Sequence, residues 1–139
     1  MPDIIQITEN PLSLDALVRA LGHTSTQADP PGADPEAGAL VTFSGIVRET
    51  EGEAKIPRLD YEHYAGMAEK EMAKLAAAAR ERWTLRRLAL VHRIGPVAVG
   101  EPSVIVAVSA GHRPEAFEAA RFLIDELKKS VPIWKSSPS

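Results

Sequence analysis

EPSVIVAVSAGHRPEAFEAARFLIDELKKSVPIWK, residues 101–135, passes through three conformations in one run. Its first third, EPSVIVAVSAG (101–111), is apolar almost without interruption and bounded by Pro and Gly, as a buried strand is. Pro114 then suits the first turn of a helix that runs to about Lys129, with Phe117, Ala120, Ile124 and Leu127 as its predicted buried stripe. Pro132 stops the helix, because it lacks an N–H to donate and drives Val131 toward an extended conformation. An extended tail is therefore expected over 131–139.

Upstream, Ser13 is a suitable N-cap for a short helix, Leu14 to Leu21, closed by Gly22. TSTQADPPGADPEAG (24–38) has no periodicity and reads as a mobile surface loop. GALVTFSGIVRE (38–49) is β-rich, and Gly45 inside it marks a bulge or a close backbone approach. IPRLDYEHY (56–64) alternates as a strand does, and the charged link TEGEAK joins the two as a hairpin would. GMAEKEMAKLAAAARERW (66–83) repeats Ala68, Met72, Leu75, Ala79 and Trp83 at helical spacing. LRRLALVHRIG (85–95) is a further strand, separated from 101–111 by the turn region GPVAVG. The order α, β, β, α, β, β, α and tail, with strands in pairs, predicts an α+β fold in a single domain over 1–139.

With 19 acidic and 16 basic residues, a net charge of −3 speaks against general nucleic-acid binding, which needs a broad positive field. It leaves room for a local anion pocket. No apolar run approaches the length of a membrane span, and the N-terminus has no secretory pattern, so a cytoplasmic protein is expected. The absence of cysteine rules out disulfides, thiolate metal sites and a cysteine nucleophile. The four histidines are scattered without metal-ligand spacing, so neither metal nor cofactor is expected.

Against that acidic background, every charged side chain from Leu127 onward is a lysine: Lys128, Lys129 and Lys135, around Val-Pro-Ile-Trp. In a continuous helix Lys128 and Lys135 would lie about 10 Å apart along the axis. The bend at Pro132 allows them to meet in one pocket, where Trp134 and Ile133 would desolvate a lysine and make it a usable acid, base or nucleophile. Equally, lysines at a helix C-terminus serve the dipole alone. Lys129 points about 100° from Lys128 and has a different task. His112 and Arg113, at a strand-to-helix junction, read either as an anion site at a helix N-terminus or as a turn histidine with a solvated arginine. Arg48 reads as a surface charge, or as a phosphate fork if it faces that pair. His92 shares a face with Leu88, Leu90 and Ile94, so packing is its expected role, and His63 reads similarly.

Taken together, FSGIVRE (43–49), LDYEHYAGMAEKEM (59–72), VHRIGPVAVGE (91–101) and SAGHRPEAFEAARFLIDELKKSVPIWK (109–135) resemble the large, catalytic subunit of molybdopterin synthase. The resemblance runs from about Gly38 to Lys135 in order and spacing. It rests on the combination of HRIG, HR-x-x-AF and LK-x-x-x-P-x-W-K.

That resemblance implies an α/β-hammerhead-like fold with a small antiparallel β subdomain, and a homodimer within a heterotetramer. The implied partner is a small ubiquitin-like sulfur-carrier subunit whose C-terminal glycine thiocarboxylate enters a pocket of this chain. The implied reaction transfers its sulfur to cyclic pyranopterin monophosphate and forms the dithiolene of molybdopterin, with neither nucleic acid nor membrane involved. By the family's motifs Lys128 and Lys135 are catalytic, and Arg48, His112 and Arg113 bind substrate or anion, the last two reaching the pocket from a neighbouring subunit. Family members continue beyond the WK motif into a tail that helps close the pocket. Here SSPS follows Lys135, a departure from that pattern. Two other readings predict different behaviour: a non-catalytic relative would bind only the carrier tail, and an unrelated phosphate-ester enzyme would need no protein partner.

Overall fold

A four-stranded sheet in the order β1-β6-β8-β2 forms the centre of the computed structural model, which describes residues 1–23 and 32–138. Its strands are β1 (Ile4–Thr8), β2 (Ala39–Ile46), β6 (Leu85–Arg93) and β8 (Pro102–Ala110). A three-stranded antiparallel sheet, β7-β5-β9, comprises β5 (Arg58–His63), β7 (Gly95–Ala98) and β9 (Ile133–Ser136). The short hairpin β3 (Thr50–Glu51) and β4 (Ala54–Lys55) stands apart, its reversal made by Gly52 at φ 63°. The helices are α1 (Leu14–Ala20), α2 (Met67–Arg82) and α3 (Arg113–Ser130). The α+β class and the small antiparallel sheet agree with the sequence. Residues 24–31 of the loop expected over 24–38 lie outside the described residues.

Packing explains the layers. Leu88 and Leu90 of β6 and Val106 and Val108 of β8 put one sheet face against Met72 of α2 and Leu123 of α3, all at most 1% exposed. Burying a side chain of that size contributes about 2 kcal/mol. The intervening residues Ala89 and Ala107 face the other way and meet Leu17 of α1 and Leu21 at its C-terminal end. A separate small core of Val47, Ile56, Leu59 and Val97 supports the three-stranded sheet and the hairpin base.

The caps follow the expected chemistry. Ser13 Oγ accepts from the Ala16 N–H at 3.1 Å, and Gly22 takes φ 83° after α1. Gly66 precedes α2, and its N–H donates to the Glu69 carboxylate at 2.9 Å. Gly45 lies at a register shift of β2. A Cβ there would stand 2.7 Å from Val104 Cγ1, so the close approach read from the sequence is real.

Two expectations need correction, and two further segments carry strands that the sequence reading did not name. Ile4–Thr8, left unassigned, is the edge strand β1, parallel to β6; Ile5 and Ile7 lean on the main core. Part of the GPVAVG turn region is strand β7, paired with β5: Gly95 at φ 83° reverses the chain, and Pro96 is tolerated because β7 is an edge. The extended tail contains β9, paired antiparallel with β5 from His63↔Ile133 to Asp60↔Ser136. Finally, Phe117 is 60% exposed, and the buried stripe of α3 is Ala116, Ala119, Ala120, Leu123, Ile124 and Leu127. Phe117 projects about 60° from Ala120, just beyond the arc that touches the sheet, where small alanines let the helix sit close.

Candidate functional site

The bend after α3 is held by backbone bonds. The Val131 N–H closes the helix on the Leu127 carbonyl at 3.2 Å, and the Pro132 carbonyl accepts from the Tyr64 N–H at 3.0 Å. The chain thus returns along β5 as β9 and sets Lys135 opposite Tyr61. Lys128, on the last turn of α3, and Lys135 line one cavity of about 260 Å³ with Tyr61, His92, Ser103 and Val104. A second lobe of about 410 Å³ shares both lysines and Tyr61 and adds Gly45, Arg48 and Glu51. Arg48 leaves a fixed point, since buried Val47 donates its N–H to the Glu101 carbonyl at 3.0 Å and accepts from the Gly100 N–H at 2.8 Å.

The charges are unequally compensated. Lys135 Nζ lies 3.3 Å from Glu51 Oε1, whereas Lys128 and Arg48 have no ion-pair partner among the described residues. Lys129 turns away, 3.9 Å from Glu126. Ile133 and Trp134 line the first lobe beside both lysines, as expected; Trp134 is also 49% exposed, and its indole N–H donates to the Glu62 carboxylate at 2.9 Å.

His92 is packed, as its spacing predicted, yet its ring is also part of the cavity wall. Its Nδ1 lies 2.7 Å from the Arg93 carbonyl, which fixes the proton there in the neutral ring and leaves Nε2 as the free acceptor. Tyr61 meets the imidazole edge to face at 5.1 Å. Burial pushes the His92 pKa down to about 4; the bond to the Arg93 carbonyl opposes this, and the charges of Lys128 and His63 reinforce it.

His112 and Arg113 are elsewhere. They line a separate cleft at the α3 N-terminus with Gly38, Gly111 and Glu115. Arg113 and Lys128 are about 22 Å apart along the helix, so one copy of the chain does not unite these two groups. Of the five site residues read from the sequence, Lys128, Lys135 and Arg48 converge. Tyr61, Glu51 and the cavity-facing side of His92 escaped that reading, because they arrive by β5–β9 pairing and by the hairpin, which no local spacing announces. No group of three metal-ligating side chains gathers among the described residues.

Two lysines and an arginine thus gather around adjoining cavities of a cysteine-free α+β scaffold. The MoaE protein family model matches residues 7–130, and the chain belongs to that family. It is 48% identical over 101 residues to the molybdopterin synthase catalytic subunit of Arabidopsis thaliana, covering 73% of this chain and 51% of that protein. It is 41% identical over 134 residues to the subunit of the same name from Thermoplasma volcanium, covering 94% of this chain and 88% of that protein. The chain thus spans about half the length of the plant relative and most of the archaeal one. Among solved structures, molybdopterin synthase from Staphylococcus aureus superposes with a TM-score of 0.82 at 33% identity, covering 99% of this chain and 92% of that one.

Proposed function

We propose that this chain is the catalytic subunit of a molybdopterin synthase, a cytoplasmic homodimer joined to two small ubiquitin-like carriers in a heterotetramer. It moves sulfur from the carrier's C-terminal thiocarboxylate to cyclic pyranopterin monophosphate. The observation that carries this reading is the meeting of Lys128 and Lys135 at one cavity across the Pro132 bend, in a chain of the MoaE family. The chain has no cysteine, which suits a reaction in which sulfur arrives on a partner's terminus.

In this reading the thiocarboxylate sulfur forms a bond to a side-chain carbon of the pterin, whose oxygen leaves as water. Addition of water then breaks the acyl–sulfur bond, and the carrier departs as a carboxylate. Lys128, with no ion-pair partner among the described residues, transfers the proton or contacts the thiocarboxylate carbon. Lys135 orients the ligands and neutralises developing charge. Arg48 offers a fork to the phosphate, and His112 and Arg113 reach the cavity from the second copy. The test combines the purified chain, thiocarboxylated carrier and cyclic pyranopterin monophosphate, and quantifies molybdopterin. Product that forms with the wild type and is lost in Lys128→Ala supports the reading. Carrier binding without product from the wild type overturns it.

A further inference from the structure

Glu51 is the one carboxylate among the described residues that line the lobe holding Arg48, Lys128 and Lys135. Its hairpin presents it deliberately. The neighbouring Glu53 and Lys55 are exposed, whereas the Glu51 side chain is only 33% exposed and has Oε1 3.3 Å from Lys135 Nζ. The hairpin base is anchored: the Ile56 N–H donates to the Glu49 carbonyl at 2.8 Å, and Ile56 itself is buried with Val47. With His92 neutral, three cations and one carboxylate leave this cavity two positive charges in excess.

We infer that Glu51 is a specificity-determining residue of this site, which occupies Lys135 while the cavity is empty and limits the cavity to two singly charged ligands. The inference rests on the function proposed above, in which a thiocarboxylate terminus and a cyclic phosphodiester each bring one negative charge. A carboxylate within a few ångströms of a bound anion repels every added negative charge, so its penalty grows with the charge of the ligand. A half-exposed Lys–Glu pair is itself weak, so the correct ligands exchange with it readily. A polyanion that would otherwise sit on both lysines and Arg48 meets the repulsion in full.

The test is calorimetric titration of inorganic pyrophosphate into the full chain at low ionic strength, which needs neither carrier nor pterin. Glu51→Gln is expected to bind pyrophosphate roughly tenfold more tightly than the wild type. Measured against Lys135→Ala, the gain from Glu51→Gln is expected to be smaller, because only the repulsion and not the release of Lys135 remains. Glu53→Gln removes the same charge from the exposed side of the hairpin and is expected to leave affinity unchanged. Equal affinity of the wild type and Glu51→Gln overturns the inference, as does an equal gain in Glu53→Gln. In the sulfur-transfer assay, Glu51→Gln is expected to be inhibited by pyrophosphate at lower concentrations than the wild type. An inactive wild type in that assay counts against the proposed function, while the binding series still decides the role of Glu51.

Discussion

Arg113 and Lys128 stand at the two ends of the same helix, about 22 Å of rise apart, so the His112–Arg113 pair that opens α3 faces a different cleft from the lysine that ends it. If both serve one reaction, the site is completed by a second copy. An Arg113→Ala chain mixed with a Lys128→Ala chain then forms hybrid dimers with one intact site each. Statistical mixing is expected to restore about a quarter of wild-type molybdopterin formation, from two parents that are each nearly inactive. Mixtures no more active than the parents would show that the two clefts work separately.

Lys128 is exposed on the last turn of α3, outside the helix's buried stripe. Lys128→Ala should therefore lower kcat by about a hundredfold or more, as loss of a proton-transfer group does, while KM for the carrier and the thermal midpoint stay near wild type. Steady-state kinetics beside a melting curve check both halves. A raised KM with unchanged kcat would assign Lys128 to binding instead.

His92 makes stability depend on pH. Its folded pKa of about 4 lies below the ordinary histidine value of 6.5, so the unfolded chain takes up the proton first as pH falls. The stability present above pH 6.5 is lost as pH drops toward 4, by about 3 kcal/mol in all. Urea midpoints at pH 7.5, 5.5 and 4 should fall more steeply for the wild type than for His92→Gln, which has no proton to gain. Parallel slopes would mean that other groups govern the acid limb.

Gly45 tests the close approach of β2 to β8. A methyl group there meets Val104 Cγ1 at 2.7 Å, inside normal contact, in a strand that also walls the cavity. Gly45→Ala is expected to cost about 1–3 kcal/mol in denaturant unfolding. A neutral result would mean that Val104 yields without strain.

The elements strongest in the sequence were those whose signal is local. The two long helices, the strands at 38–49, 56–64, 85–95 and 101–111, the Ser13 cap and the break at Pro132 all follow from periodicity, capping and missing N–H groups within a few residues. The lysines stood out for the same reason, as a local excess of one charge around a proline. By contrast, β1, β7 and β9 are short edge strands that become strands only through partners far away in the chain. Phe117 was misread because spacing gives the direction of a helical face but not the width of the arc a sheet covers.

By itself, then, the sequence determined the α+β class, the helical segments and the absence of thiol chemistry, since each depends on neighbours in the chain, while Lys128, Lys135 and Arg48 were singled out by the family resemblance. Only the tertiary structure decided that Lys135 pairs with Glu51, that Tyr61 and His92 wall the same cavity, and that His112 and Arg113 lie a helix away. Those relations are set by strand pairing and helix length across distant segments, where burial and register, not local propensity, choose the neighbours.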